Sequence, residues 1–228
     1  MKKYAAELIG TFFLVLTVGC TVIGGGPGVI PAIAIGSALM IMVFAGGHIS
    51  GGHYNPAVTL GVWLRGACDA KDVIPYWVSQ FIGAGLAALA VRAMNLGPVH
   101  TTTGLAVGPA FLAEFLFTFA LVYVVQNVAT SKDTAGNSYY GLAIGFTVMV
   151  GAMAVGKISG GVFNPAVAFG ISVMDLMRWS NIWIFFVAEL LGSVAAVGAY
   201  RIVTGESLLP TPTAPTGSAG RQASATSA

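Results

Sequence analysis

One fourteen-residue phrase occurs twice in this chain. His48-Ile-Ser-Gly-Gly-His-Tyr-Asn-Pro-Ala-Val-Thr-Leu-Gly61 returns as Lys157-Ile-Ser-Gly-Gly-Val-Phe-Asn-Pro-Ala-Val-Ala-Phe-Gly170, with nine positions identical. Each copy follows two apolar runs and precedes a third: 4–23, 29–47 and 73–94 surround the first, and 109–128, 139–156 and 181–203 the second. The echo extends into the runs, where Ala6-Glu7 returns as Ala113-Glu114, and Gln80 with Gly83 returns as Glu189 with Gly192. Runs of about 20 apolar residues are long enough to cross a hydrocarbon layer of about 30 Å. Three crossings per half is an odd number, so the second half must enter the membrane upside down relative to the first. The chain reads as one domain over 1–204 made of two inverted repeats, about 1–95 and 108–204.

Composition agrees that the solvent is lipid. Hydrophobic residues make up 56% of the 228 and charged residues only 8%, against about 25% charged in soluble domains. The opening Met1-Lys2-Lys3 and its apolar run could begin a signal peptide, but no small-residue cleavage site follows, and it reads as the first span. With both termini cytoplasmic, Lys2, Lys3, Arg65, Lys71, Lys132, Arg201 and Arg221 fall inside and Arg92, Lys157 and Arg178 outside, the bias expected of a cell-membrane protein. A net charge of +2 without a basic stripe or stacking platform argues against nucleic acid as a partner. Cys20 and Cys68 fall toward opposite faces, too far apart to pair. The 95–108 connection, with His100 and Thr101–Thr103, is expected to be an outer loop. After Thr204 the composition turns to Pro, Thr, Ser and Ala, and 205–228 is expected to be a disordered tail.

Each repeated phrase carries the signature of a helix start. Asn55 and Asn164 are capping residues, and Pro56 and Pro165 occupy the first helical position, where a missing N–H costs nothing. Ala57 and Ala166 complete the two Asn-Pro-Ala motifs. The first helix ends at Arg65-Gly66, giving nine residues or roughly 14 Å, about half the hydrocarbon thickness. One half-helix from each face therefore brings two N-termini together at the midplane. Extended backbone at membrane depth is tolerated only where it is buried or lines a wet cavity, so the stretches before the motifs imply a pore. Gly51, Gly52, Gly160 and Gly161 let that backbone turn carbonyls toward a passing solute. His53 and Val162 complete the expected lining, and the Asn55 and Asn164 amides supply donors. A water accepting from both asparagines has its oxygen committed, which interrupts a proton wire. Each helix N-terminus carries roughly +0.5 charge, and at ~5 Å and an effective dielectric of ~20 the two oppose a monovalent cation by on the order of 3 kcal/mol.

A lone Asn-Pro-Ala begins many ordinary turns and helices. Two copies in symmetric positions among six spans are far more specific. The segment 50–61 and the second Asn164-Pro-Ala resemble the signature loops of the aquaporin (major intrinsic protein) family, over about residues 4–203. That resemblance implies an all-α membrane fold of six transmembrane helices and two re-entrant half-helices, in a right-handed bundle. It also implies one pore per subunit, a homotetramer in the lipid bilayer, water and small neutral solutes as permeants, and neither catalysis nor cofactor. In that family the glutamates matching Glu7 and Glu114 accept hydrogen bonds from the re-entrant loops.

The chain departs from the family where an arginine usually follows the second motif, because Val167 stands there. The other constriction positions map onto Ile35, Ala152 and Gly161. Together the four form an uncharged, apolar and wide ring, so water is expected to pass together with small solutes such as glycerol, urea or ammonia. Losing a cation at ~5 Å and dielectric ~20 forfeits on the order of 3 kcal/mol of cation repulsion. Dedicated glycerol channels usually carry Asp after that arginine, and here Ala168 follows. Two alternatives stay open at this point: the outer loop restores polarity at the filter, or Val167 merely packs.

Other residues receive plainer readings. Glu189 stands where the family commonly has proline, and it either bonds Gln80 or faces the pore scaffold. His48 is expected to fasten the first loop. Two loop histidines without a third ligand fall short of a metal site. Phe12, Phe13, Phe115, Phe117 and Phe119 face lipid or helices, and Tyr76, Trp77, Trp179 and Trp183 suit interfacial anchoring. The rival from another class is a proton-coupled secondary transporter, which inverted repeats also suit. It usually needs a titratable midplane site, whereas the midplane residues here are asparagines. No Ser-His, paired-Asp or metal-ligand set recommends an enzyme.

Overall fold

A computed structural model describes residues 1–24, 28–102 and 104–206. Thr103 and nearly all of the expected tail lie outside the described residues. The described residues form α1 (Lys2–Ile23), α2 (Ile30–Ser50), α3 (Pro56–Leu64), α4 (Ala70–Met94), α5 (Val107–Val125), α6 (Tyr140–Ser159), α7 (Pro165–Val173) and α8 (Ile182–Thr204). A π-helical turn at Gln126–Thr130 prolongs α5, and a 3-10 turn at Trp179–Asn181 leads into α8. Six of these helices are long and apolar enough to cross a membrane; α3 and α7, of nine residues each, are not. No β-strand occurs among the described residues.

Large apolar side chains on the outer face of the bundle remain exposed, among them Ile9, Leu86, Leu112, Leu116 and Phe146. A surface of this kind is stable in hydrocarbon, where apolar exposure carries no penalty. Inside, the spans approach closely through glycine. A Cβ on Gly83 of α4 would lie 2.4 Å from the Leu8 carbonyl oxygen of α1, and one on Gly192 of α8 would lie 2.5 Å from the Phe115 carbonyl oxygen of α5. These are the same crossing made once in each repeat. The repeats join at α2 and α6, where a Cβ on Gly36 would meet Gly145 O at 2.7 Å and one on Gly145 would meet Gly36 O at 2.5 Å. Small residues give this contact because lipid supplies no hydrophobic drive between helices, so close backbone packing must.

The ends of α2 and α6 set up the re-entrant segments. Gly51 (φ 92°) and Gly160 (φ 101°) are left-handed C-caps whose N–H groups close on Gly47 O and Gly156 O at 2.9 and 3.0 Å. The residue that stops each span thus also turns the chain back into the bundle. The start of α1 and the end of α8 lie on one face. There Lys3 pairs with Asp72, and Arg65, at the end of α3, reaches Tyr200 and Glu206 at 3.3 and 2.8 Å.

Gly192→Val is expected to drive its side chain into the α5 backbone and destabilise the fold by about 1–3 kcal/mol, the usual range for overpacking. Gly198→Ala, which meets nothing within 4 Å, is expected to leave stability unchanged. Thermal unfolding of the two purified variants in detergent checks the contrast.

Candidate functional site

The site is made by two backbone segments that belong to no regular element. In Gly51–Asn55 and Gly160–Asn164 the same dihedral pattern appears twice. Gly51, Gly52 and Tyr54 have φ of 92°, 65° and 50°, and Gly160, Gly161 and Phe163 have φ of 101°, 67° and 51°. Left-handed backbone costs a non-glycine residue roughly 1–2 kcal/mol. Tyr54 and Phe163 meet that cost through burial, each being 1% exposed. The Tyr54 ring lies over Gly10, its hydroxyl donates to Met42 O at 2.9 Å, and Phe163 packs against Gly151 and the Phe117 ring. An aromatic residue directly before each asparagine was the available sequence signal for these two positions.

Two buried glutamates hold the segments. Glu7 accepts from Ser50 Oγ (2.7 Å), His53 N–H (2.9 Å), Tyr54 N–H (2.6 Å) and Gln80 Nε2 (2.8 Å). Glu114 accepts from Val162 N–H at 3.0 Å and Phe163 N–H at 2.7 Å. With the amides drawn toward the carboxylates, the opposite carbonyl edge of each segment is free to face the lumen. Tyr76 and Trp77 fasten the first loop as well, donating to Ser50 O at 2.7 Å and Pro56 O at 3.1 Å. This corrects the interfacial expectation for both: they stand on the face of α4 that meets α3, where a ring donor finds an unpaired carbonyl. Trp179 and Trp183 do stay exposed. His48 is exposed in the wall of an inner cavity instead of holding the loop.

At the centre the motifs lock onto one another. Asn55 Oδ1 accepts from Ala57 N–H (2.8 Å) and Val58 N–H (3.4 Å), and Asn164 Oδ1 accepts from Ala166 N–H (2.9 Å). One N–H of each amide crosses to the other repeat: Asn55 Nδ2 donates to Phe163 O at 2.8 Å, and Asn164 Nδ2 to Tyr54 O at 2.9 Å. The second N–H of each amide is left for the cavity that both asparagines line. Pro56 and Pro165 open the two half-helices, with Ala57 and Ala166 fully buried at their joint.

Three cavities follow one another through the bundle. The central one, about 50 Å³, is walled by Asn55, Asn164, Gly51, Gly52, His53, Tyr140 and apolar residues of α1, α2, α5 and α6. Outward it shares Ile35, Gly161, Val162 and Val167 with a cavity of about 140 Å³. Inward it shares Gly51 and His53 with a vestibule of about 410 Å³, where Lys3, Asp69 and Asp72 are the charged residues. No Asp, Glu, Lys or Arg lines the central or the outer cavity among the described residues. His53 is buried, with Nδ1 3.1 Å from Thr59 Oγ1. At the inner vestibule, burial and the nearby carboxylates of Asp72 and Asp69 push the Cys68 thiol pKa upward, so it is held as the neutral thiol.

Of the four constriction positions, Ile35, Gly161 and Val167 reach the lumen. Ala152 does not line either cavity; it stands behind Gly161, whose added Cβ would come within 2.9 Å of the Ala152 Cα. The re-entrant backbone itself fills the place a larger side chain on α6 would take. Gly160 lines only the outer cavity. The outer connection supplies polar groups. Thr102 N–H donates to Leu176 O at 3.0 Å and Thr101 Oγ1 to Asp175 O at 2.7 Å, which places His100 and Thr102 in the outer wall opposite Val167. Of the two alternatives left by the sequence, polarity from the outer loop is present, and Val167 both packs and lines the path.

Two half-helices meeting N-terminus to N-terminus across an uncharged lumen define a transmembrane pore of the re-entrant-loop class. Residues 1–200 match the family described as Major intrinsic protein. "Aquaporin NIP1-3" of Oryza sativa subsp. japonica is 38% identical over 213 residues, which cover 89% of this chain and 73% of that one. "Glycerol uptake facilitator protein-like 6" of Lactiplantibacillus plantarum is 35% identical over 216 residues, covering 90% of this chain and 100% of the other. Among solved structures, the aquaglyceroporin from Plasmodium falciparum shares the fold with a TM-score of 0.76 at 22% identity, over 89% of this chain and 96% of that one. The chain belongs to the major intrinsic protein family and is a multi-pass membrane protein.

Glu7→Gln replaces one acceptor oxygen with a donor while four donors still converge on it. At least one buried N–H or O–H is then left unpaired, and stability is expected to fall by about 1–3 kcal/mol. A lower melting temperature in detergent, with the second-repeat loop unperturbed in its amide hydrogen exchange, is the outcome that checks it.

Proposed function

We propose that the protein is a passive channel that conducts water and small uncharged solutes, with glycerol, urea and ammonia as the size class, and excludes ions. The observation that carries this reading is the central lumen. Among the described residues its polar side chains are the amides of Asn55 and Asn164, the His53 ring and Tyr140, set between two converging helix N-termini. Neutral molecules that both donate and accept find partners along it. A cation meets the positive ends of α3 and α7, and among the described residues no carboxylate lines the central or the outer cavity. The relatives named as aquaporins and as a glycerol uptake facilitator support the same reading.

Asn55, Pro56, Ala57, Asn164, Pro165 and Ala166 are assigned to the central barrier, and Ile35, Gly161 and Val167 to the outer filter, with Ala152 backing it. Gly51, Gly52, His53, Gly160 and Val162 form the lining, and Glu7 and Glu114 support the loops. The proton-coupled transporter gains no support, since among the described residues the walls of the central and outer cavities carry no carboxylate or lysine that could exchange a coupling proton. The preponderance of Lys and Arg on the face bearing both termini supports cytoplasmic ends in the cell membrane. A homotetramer is the assembly the family membership supports.

Stopped-flow measurements on proteoliposomes test the filter. The unmodified protein is expected to pass glycerol and urea as well as water. Val167→Arg, which restores a cation where the lumen is narrow, is expected to lower glycerol and urea flux about tenfold or more while water flux persists. Complete reflection of both solutes by the unmodified protein would sink the wide-filter reading, and uptake driven by a pH gradient would favour the transporter.

A further inference from the structure

The two repeats solve the same problem with different chemistry beside their glutamates. In the first, Gln80 is fully buried and its amide spends both N–H groups, donating to Glu7 Oε2 at 2.8 Å and to Thr59 Oγ1 at 3.0 Å. In the second, the repeat partner of Gln80 is Glu189, and the partner of Thr59 is Ala168. Glu189 is also fully buried, and neither of its carboxyl oxygens makes a hydrogen bond in the geometry observed. It makes no hydrogen bond with Gln80. Its carboxyl faces the carboxyl of Glu114 and the backbone N–H of Asn164.

Two buried carboxyl groups therefore lie side by side, and neither is part of any ion pair among the described residues. Among the described residues the elements packed around them bring no cation into the buried site, Lys157 at the end of α6 being exposed. The half-helices α3 and α7 carry no titratable side chain, and α5 contributes only Glu114 and, well over two turns away, Tyr123. On α8 the nearest ionisable groups, Tyr200 and Arg201, stand about three turns along the helix. Two adjacent carboxylates cannot both stay ionised in such a place.

Hydrogen-bond supply decides which one keeps a proton. Glu114 accepts two backbone N–H groups, the environment of a carboxylate. Glu189 lacks that support. A carboxylic acid has a single O–H donor, whereas an amide has two N–H donors, and the site is built accordingly. The acceptor that takes the second N–H of Gln80, Thr59 Oγ1, is replaced by the methyl group of Ala168.

We propose that Glu189 is a protonated positioning residue, donating its O–H to Glu114 and accepting from the Asn164 N–H, so that one shared proton fixes the outer re-entrant loop and its asparagine. The first repeat does the same with an amide. The proton is structural and does not travel with the solute. Glu189 is set back from the lumen, outside the walls of the central and outer cavities.

The experiment uses the full chain in lipid at neutral pH. Infrared spectra are expected to show a protonated-carboxyl C=O band, downshifted by 13C-labelling of glutamate and absent from Glu189→Gln. Glu189→Gln is expected to retain water permeability within about twofold, because an amide can donate to Glu114 in the same way. Glu189→Leu, which can neither donate nor accept, is expected to lose tenfold or more or to fail to fold. Absence of the band in the unmodified protein, its persistence in Glu189→Gln, or an equal permeability loss in Glu189→Gln and Glu189→Leu would each overturn the proposal. The infrared result is independent of the channel reading, so a failure of one is distinguishable from a failure of the other.

Discussion

Two hydrogen bonds join the halves of this protein at its centre, one from each asparagine amide to the carbonyl that precedes the other asparagine. Each bond is available only because Tyr54 and Phe163 adopt left-handed backbone, which swings their carbonyls across the pseudo-twofold axis. Those conformations hold only because the rings behind them are buried and the amides beside them are tied to Glu7 and Glu114. The order of dependence runs from buried carboxylate to loop backbone to crossed asparagines to the aligned half-helices. A break at any level leaves polar backbone unpaired at a depth where neither water nor lipid can satisfy it.

The same arrangement fixes the electrostatics. Capping by Asn55 and Asn164 satisfies some of the orphan amides of α3 and α7 but leaves both positive helix ends aimed at one point. Barrier height thus follows from backbone geometry shared by both repeats and not from any one ionisable side chain. That matters in a chain where Val167, and among the described residues no charged one, stands between the central and outer cavities. At ~5 Å and effective dielectric ~20, the paired termini supply on the order of 3 kcal/mol against a monovalent cation, and they carry that part of the barrier unaided.

Much of this was legible in the sequence because it is written twice. The bounds of the first half-helix, the start of the second and the six spans follow from capping chemistry, span length and repetition, while the pairing of Glu7 with one loop and Glu114 with the other is implied by the family resemblance. What escaped was set by packing across elements. Nothing in the composition of α4 distinguishes Trp77 as an interfacial ring from Trp77 as a donor to Pro56 O, because both lie near a helix end. Ala152 counts correctly along α6 yet is covered by Gly161, whose left-handed φ pulls the backbone between it and the lumen. Glu189 was ambiguous because a protonated acid and a carboxylate are the same letter, and only its neighbours distinguish them.

The repeats are alike in backbone and unlike in chemistry, and the difference has a direction. The inner repeat places His53, Thr59 and Gln80 where the outer one has Val162, Ala168 and Glu189. Inner-half polar groups pair among themselves through His53–Thr59 and Gln80–Thr59, and His53 also reaches the lumen. In the outer half Val162 and Ala168 are apolar, so a solute there loses water between largely apolar walls and meets the polar groups of Ser159, His100 and Thr102. Desolvation is thus graded along the path: costliest at the apolar outer ring and eased on reaching the asparagines. Under the proposed channel reading, a ring without charge admits a neutral solute on its shape and modest hydrogen-bonding needs, and the crossed asparagines, common to both halves, impose the same orientation on whatever arrives.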